Sequence, residues 1–232
     1  MEQNSIISIK NLVKRFPVGR GEFTALNGID LKFTVGEFAG IVGPSGSGKT
    51  TLLNIIGSLD SASEGTAYVM GQSINDITIK RAAKLRKKHL GFIFQTYNLL
   101  PFYTVYENVE FPLLLLSMSA SERKTSVMEA LNWLGLTDKI KSRPAQLSGG
   151  ECQRVAVARA MVKRPEIVLA DEPTANLDAE NSHNILKMMV KLNKELKTTF
   201  VFATHDDKVI HYLKRKILLE DGQISADDII SK

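Results

Sequence analysis

Residues 43–50 read Gly43-Pro44-Ser45-Gly46-Ser47-Gly48-Lys49-Thr50. The stretch follows the continuously apolar run Phe38–Val42, and a helical pattern starts at Lys49. Glycines between a strand and a helix let several backbone N–H groups and the positive end of the helix dipole face one anion. The spacing G-x-x-x-x-G-K-[ST] therefore predicts a phosphate-binding loop at the end of a strand.

Two side chains at the end of this loop have predicted roles. Lys49 is expected to place its ammonium at the β- and γ-phosphates, and Thr50 to offer its hydroxyl to Mg²⁺. Thr51 follows in the same helix and is counted with the binding residues. The alternative, a chance glycine loop, has a probability of roughly 1% at average glycine content.

Three further short runs are continuously apolar, namely Leu90–Phe94, Ile167–Ala170 and Phe200–Ala203. Such runs are typical of strands buried on both faces, as in a parallel sheet covered by helices. Each run is followed by polar side chains: Gln95, Asp171 with Glu172, and Thr204 with His205. Because open parallel sheets bind ligands at the carboxyl ends of their strands, the four runs predict one site at one edge.

Asp171 and Glu172 end one of these runs. An aspartate at the end of a buried strand beside a phosphate loop is the usual Mg²⁺ partner, which is the role predicted for Asp171. Glu172 is placed to accept a proton from an attacking water. The alternative is a strand that merely ends in solvated acids.

A second anion-binding element is predicted at Leu147-Ser148-Gly149-Gly150-Glu151, where Ser148 and two glycines start a helix that runs to about Arg164. Ordinary helix capping is the alternative. Because the chain already has one phosphate loop, a second such site suggests that it serves the nucleotide of another subunit.

Other segments have a different character. Apolar residues alternate over Ile29–Val35, which predicts a half-buried strand in an antiparallel sheet, and Asp221-Gly222 predicts a hairpin. Ser119 and Glu122 predict a capped helix. Asp178 or Asn181 is expected to cap another helix, whose apolar residues are Ile185, Met189, Leu192 and Leu196.

The composition is that of a globular protein: 232 residues, 44% hydrophobic and 24% charged, with one cysteine, so an intrachain disulfide is excluded. Six basic residues lie within 80–88, and without them the net charge would fall from +5 to −1, so no specific nucleic-acid partner is expected. This run predicts a solvated helix face, with anionic lipid contact as the alternative.

The first twelve residues lack the pattern of a secretion signal. The apolar stretch Phe111–Leu116 is far shorter than the roughly 20 residues that a bilayer requires, so this chain is not expected to cross a membrane.

The order and spacing of these motifs resemble, over nearly the whole chain, the nucleotide-binding subunit of ABC transporters. Four phrases are similar to the group containing the lipoprotein-releasing and the macrolide and peptide export ATPases: GFIFQ at 91–95, NLLP at 98–101, ENVEFPLLL at 107–115 and ADEPTANLD at 170–178. The resemblance implies an α/β fold: a P-loop NTPase core with a mostly parallel sheet, an antiparallel β subdomain and a helical subdomain. It implies a single nucleotide-binding domain over 1–232, with a core at 1–95 and 166–232 and a helical lobe at about 96–165.

The resemblance also implies roles for individual residues. Phe16 would stack on adenine, although a core phenylalanine is the alternative. Gln95 would touch Mg²⁺ and the attacking water, and His205 the γ-phosphate. Asp178 would lie at the subunit boundary.

As a whole, the resemblance implies an ATPase that uses ATP and Mg²⁺. Two copies would close head to tail over two ATP molecules, and the pair would power a permease of the macrolide-export, lipoprotein-releasing or cell-division type. Export or extraction from the cytoplasmic face of the inner membrane is favoured. The alternatives are a soluble ATPase of DNA repair or translation and a cell-division regulator. The apolar stretch 97–103 is expected either to line a groove for a membrane partner or to form a small satellite core.

Overall fold

The computed structural model describes residues 5–19 and 21–230; residues 1–4 of the N-terminal stretch lie outside these ranges. The strands are β1 (Ser5–Val18), β2 (Gly21–Thr34), β3 (Phe38–Val42), β4 (Glu64–Val69), β5 (Gln72–Ser73), β6 (Leu90–Ile93), β7 (Ile167–Asp171), β8 (Thr199–Thr204), β9 (Arg215–Glu220) and β10 (Gln223–Ile229). The helices are α1 (Lys49–Ile56), α2 (Ile79–His89), α3 (Val105–Leu114), α4 (Ala120–Trp133), α5 (Gly149–Met161), α6 (Ala179–Leu196) and α7 (Asp207–Ile210).

The main sheet has the order β10-β9-β3-β8-β7-β6 and is parallel from β9 to β6. All four apolar runs of the sequence are strands of this sheet, as predicted. Alternate residues of β8 enter opposite cores: Phe200 and Phe202 lie on the helical side, while Val201 and Ala203 lie on the other. The sheet is therefore buried on both faces, which is why these strands have no polar face.

A second, antiparallel sheet has the order β2-β1-β4-β5 and covers one face of the main sheet together with α1. The alternating residues Ile29, Leu31 and Phe33 of β2 are buried in the core between them, which confirms the predicted half-buried strand up to Phe33. Val35, the last residue of the predicted pattern, lies after the end of β2 and is exposed.

Helices α3 to α6 pack on the opposite face of the main sheet. A capping box of Ser119 and Glu122 begins α4, and Asp178, not Asn181, caps α6. Helix α5 ends at Met161, three residues before the predicted Arg164. Arg164 has φ 50°, outside the right-handed helical region, and the following Pro165 also disfavours a right-handed helix there.

The hairpin predicted at Asp221-Gly222 joins β9 to β10, with φ of 46° and 73° at the two turn residues. The basic run lies on α2, where Lys80, Arg81, Lys84, Lys87 and Lys88 are exposed. This exposure is compatible with a solvated face and with lipid contact. Within 5–19 and 21–230, no helix has the length and apolar character that a bilayer span requires.

Candidate functional site

The predicted site residues converge at the carboxyl edge of the main sheet. The loop 43–48 follows β3, Asp171 ends β7, and Thr204 ends β8. Val42 pairs with Thr204, and Asp171 with Ala203, so these strand ends lie side by side. Gln95 follows β6 at the same edge, and two strands, β8 and β7, separate β6 from β3.

Lys49 organises the glycine loop. Its side chain is 7% exposed, and Nζ donates to the carbonyl oxygens of Gly43 and Pro44, at 2.8 Å each. The ammonium is thus held inside the curl of the loop, at the N-terminal end of α1. A cation beside the positive end of a helix dipole makes this curl a strongly anion-attracting place.

The shape of the loop depends on two of its glycines. Gly48 has φ +103°, and a Cβ there would lie 2.5 Å from the carbonyl oxygen of Ala25; a Cβ on Gly43 would collide with the carbonyl oxygen of Leu219. The hydroxyl of Ser47 is buried and has no hydrogen-bond partner among the described residues. A loop that only glycine can form, with an unsatisfied buried hydroxyl, fits a bound polyphosphate.

Thr50 and Asp171 form the candidate metal centre. Thr50 Oγ1 donates to the Asp171 carboxylate, at 3.0 Å and 3.2 Å from its two oxygens. Burial raises the pKa of Asp171, the Thr50 hydrogen bond lowers it, and the neighbouring Glu172 raises it further. A hydroxyl and a single carboxylate are the oxygen ligands that Mg²⁺ uses when phosphates complete its shell. The residues present therefore fit this ion.

Glu172 occupies a strained position beside the metal centre. It has φ 44°, which is unusual for a residue other than glycine. Its carboxylate accepts a hydrogen bond from Thr204 Oγ1 at 3.0 Å, and its Oε1 lies 2.6 Å from His205 Nδ1. The structure therefore brings Glu172 and His205 together, and the two partners hold the carboxylate in one orientation.

Ser148 is an ordinary N-cap of α5, as the helix-capping alternative predicts. Its Oγ accepts from Glu151 N at 3.2 Å, and Glu151 Oε2 accepts from Ser148 N at 2.8 Å. Ser148 and Gly149 are exposed, so the positive end of α5 is open to another molecule.

Asp178 lies close to this helix start. It accepts hydrogen bonds from N and Nδ2 of Asn181, at 2.8 Å and 2.7 Å, and the Asn181 bonds lower the pKa of the carboxyl. A Cβ on Gly150 would lie 2.5 Å from Asn181 Oδ1. Gly150 and the Asp178 cap thus pack together, although neither contacts the phosphate loop within the described hydrogen bonds.

Phe16 is half-buried on β1 and belongs to neither core cluster, which argues against the core alternative. The ammonium of Lys14 lies 4.9 Å from the centroid of its ring. Phe23 on β2 pairs directly with Phe16 and is exposed.

Sequence reasoning placed Thr204 at this edge without giving it a role, and it missed two other residues that support the site. Thr204 orients Glu172, as described above. Asn176 Nδ2 donates to the carbonyl oxygen of Gln95 at 2.8 Å, and Arg159 holds the residues that follow Gln95. The partners lie 32 to 81 residues apart in sequence, so no local spacing signals these contacts.

Comparison with known proteins gives consistent matches. The family model described as "ABC transporter" matches residues 26–175. The lipoprotein-releasing system ATP-binding protein LolD of Pseudoalteromonas translucida is 43% identical over 223 residues, which is 96% of each chain. The macrolide export ATP-binding/permease protein MacB of Pasteurella multocida is 41% identical over all of this chain, which spans 36% of that protein. The dimeric structure of the ATP-binding cassette MJ0796 bound to ADP and Pi has a TM-score of 0.89 and 40% identity, covering 97% of this chain and 99% of that one; the protein MJ0796 is from Methanocaldococcus jannaschii.

Proposed function

We propose a mechanism and a cellular role for this chain, which belongs to the ABC transporter family. The chain binds and hydrolyses ATP as the nucleotide-binding subunit of a membrane transporter. The proposal concerns which residues perform these steps, how two copies cooperate, and what the transporter moves.

The chain divides its work between two parts. Residues 1–95 and 166–232 form the nucleotide-binding core with the antiparallel β subdomain, and 96–165 form the lobe that carries Ser148–Gly150. This division is supported by the sheet edge, where the loop 43–50, Asp171 and Glu172 converge, and by α3, α4 and α5, which make up the lobe.

The core binds the triphosphate. Backbone N–H groups of 43–50 and the ammonium of Lys49 hold the β- and γ-phosphates, Thr51 extends the binding surface, and Phe16 stacks on adenine. Thr50, Asp171 and Gln95 hold Mg²⁺, which when bound supplies positive charge to the phosphate oxygens. The support is the direct contact between Thr50 and Asp171.

Glu172 takes a proton from the attacking water, and His205 contacts the γ-phosphate. The observation that carries this assignment is the carboxylate of Glu172, held by Thr204 Oγ1 at 3.0 Å and by His205 Nδ1 at 2.6 Å beside the candidate metal centre. A carboxylate fixed in one orientation needs little rearrangement to accept a proton.

A second copy of the chain completes each site. Its Ser148, Gly149 and Gly150 approach the γ-phosphate from the opposite side, and Asp178 lies at the boundary between the copies. The support is the exposed positive end of α5 and the dimeric structure of the similar cassette. Closure of the pair excludes water, and hydrolysis removes the phosphate that joins the copies.

The membrane partner is a permease like those of the lipoprotein-releasing or macrolide-export systems, and the transport is export or extraction from the cytoplasmic face of the inner membrane. The relatives LolD and MacB support this assignment. The partner docks in a groove of about 340 Å³ beside Leu100, Phe111 and Leu115. Phe102, in the stretch 97–103, has an exposed aromatic ring. This exposure favours a docking surface over a small satellite core.

The experiment is the turnover of the Glu172→Gln variant, which keeps the size of the side chain and removes the base. We expect ATP hydrolysis to fall by about 100-fold or more while ATP binding is retained. Glu195→Gln, which changes an exposed acid on α6, is the control and should hydrolyse ATP at the parental rate. Near-parental turnover of Glu172→Gln would exclude Glu172 as the base.

A further inference from the structure

The backbone after Gln95 makes an unusual turn. Tyr97 has φ 60° and Asn98 has φ 48°, so two consecutive residues other than glycine are left-handed. Residues other than glycine seldom adopt the left-handed conformation, and they keep it only where the surrounding structure stabilises it. The turn begins within two residues of Gln95, which we assign to the metal and the attacking water.

The group that holds the turn is the guanidinium of Arg159, on α5. Its Nη1 donates to the carbonyl oxygen of Asn98 at 2.6 Å, and its Nη2 to the carbonyl oxygen of Tyr97 at 2.7 Å. Among the described residues, no carboxylate lies within ion-pair distance of Arg159, although its side chain is half-buried and burial lowers its pKa. The two carbonyls are therefore its polar partners, and they are held by a rigid, charged fork.

The other side of the turn contacts the catalytic loops. Asn176, between Glu172 and Asp178, donates through Nδ2 to the carbonyl oxygen of Gln95 at 2.8 Å. The hydroxyl of Tyr97 lies 3.5 Å from the carbonyl oxygen of Asn176 and packs against Gly149 at the start of α5. The turn thus touches both the loop that carries Asn176 and the start of α5.

The groove proposed for the permease includes the same contact. Asn98 and Arg159 both line it, together with Leu100 and Lys163. A segment bound in the groove would therefore contact both residues of the hydrogen bond between Arg159 and Asn98.

We propose that Arg159 is a positioning residue: its guanidinium holds Tyr97 and Asn98 in the left-handed turn and thereby places Gln95 for catalysis. The inference rests on the proposed role of Gln95 at the nucleotide.

The experiment compares Arg159→Lys with the double variant Arg159→Lys, Asn98→Gly. Lysine keeps the charge but cannot bond both carbonyls as a fork, so we expect kcat for ATP hydrolysis to fall about tenfold while the affinity for Mg-ATP changes less than about twofold. Glycine adopts the left-handed conformation without a steric cost, so Asn98→Gly should restore most of the lost kcat. Asn98→Gly alone should remain near the parental rate.

Arg164→Lys is the matched control, because Arg164 follows the same helix but pairs with Glu129 at the surface. It should leave kcat unchanged. Thermal unfolding of every variant shows whether the fold is retained. Rescue by Asn98→Gly adds a second control, because a glycine at position 98 would not repair a packing defect at Arg159.

Parental kcat in Arg159→Lys, or a lowered kcat that Asn98→Gly does not restore, would overturn the proposal. Glu172→Gln is measured in the same series. If it too retains turnover, the proposed catalytic site is wrong; if it alone loses turnover, only the role of Arg159 is wrong.

Discussion

At the scale of single residues, the site depends on backbone conformations that most side chains avoid. Gly48 has φ +103° in the loop after β3, and Glu172 has φ 44° directly after β7, both at the carboxyl edge of the main sheet. Glycine avoids the steric cost at the first position, whereas Glu172 is retained at the second by hydrogen bonds to its carboxylate. The unusual backbone conformation therefore depends on the absence of a side chain at Gly48 and on what the side chain bonds at Glu172.

Gly48→Ala is expected to weaken ATP binding by about tenfold, because the new Cβ meets both a left-handed φ and the carbonyl oxygen of Ala25. Equilibrium binding of a fluorescent ATP analogue measures the effect. Gly46→Ala is the matched control: Gly46 has φ +82° but nothing within 4 Å of a Cβ, so its effect should be smaller. Equal affinity loss in both variants would show that the close approach to Ala25 is unimportant.

Residue-level prediction from sequence is most complete where one short segment contains the whole signal. Residues 43–48 lie between β3 and α1, and Asp171 ends the buried strand β7, as the sequence predicts. The roles of these residues in binding and catalysis stay predictions. The contacts of Arg159 could not be predicted, since its two partners lie 61 and 62 residues away and the conformation that it holds has no sequence marker.

At the scale of elements, three helices begin with the same device. Capping boxes start α3 at Thr104 and Glu107, α4 at Ser119 and Glu122, and α5 at Ser148 and Glu151. Hydrogen bonds from the caps lower the pKa of all three glutamates below the ordinary value of 4.5. The charge of each glutamate also favours the positive end of its helix.

This arrangement predicts a dependence of stability on pH. Because the folded pKa values are lowered, the unfolded chain binds more protons between them and 4.5, so the free energy of unfolding falls as the pH drops through that window. Replacing all three glutamates by glutamine keeps cap acceptors and removes the titration. Urea unfolding from pH 6 to pH 3 should therefore show a flatter profile in the triple variant, and an unchanged slope would contradict the argument.

Element prediction failed most clearly at β1, which no sequence pattern indicated. Its pairing with β2 shifts register between Ile9 and Leu12 and again before Arg15, and Asn11 is left-handed at φ 48°. Each shift reverses which residues face the core, so the period of two disappears from the sequence. The strands without such shifts, β3, β7 and β8, were predicted because their burial is continuous.

At the scale of the whole molecule, Asn98 and Arg159 line the groove and also form the turn that follows Gln95. The groove lies between β6, α3 and α5, and Phe102, two residues after the lining residue Leu100, is 84% exposed. An exposed aromatic ring near an apolar groove is typical of a surface that another protein covers.

Phe102→Asp should abolish co-purification of the chain with its membrane permease, because a charge would be buried at the contact. ATP affinity should stay at the parental value, since the ring does not contact the phosphate loop. Ile229→Asp is the control, because Ile229 is 82% exposed but lies on the C-terminal hairpin. If the Phe102 variant co-purifies with the permease as the parental chain does, the groove is not the binding site of the permease.

Sedimentation velocity of Glu172→Gln with ATP and Mg²⁺ tests whether two copies of the chain enclose two ATP molecules. We expect a species of twice the 25.7 kDa chain that disappears when ATP is omitted or when Lys49→Ala is added. A single-chain species at every protein concentration, with ATP bound, would contradict it.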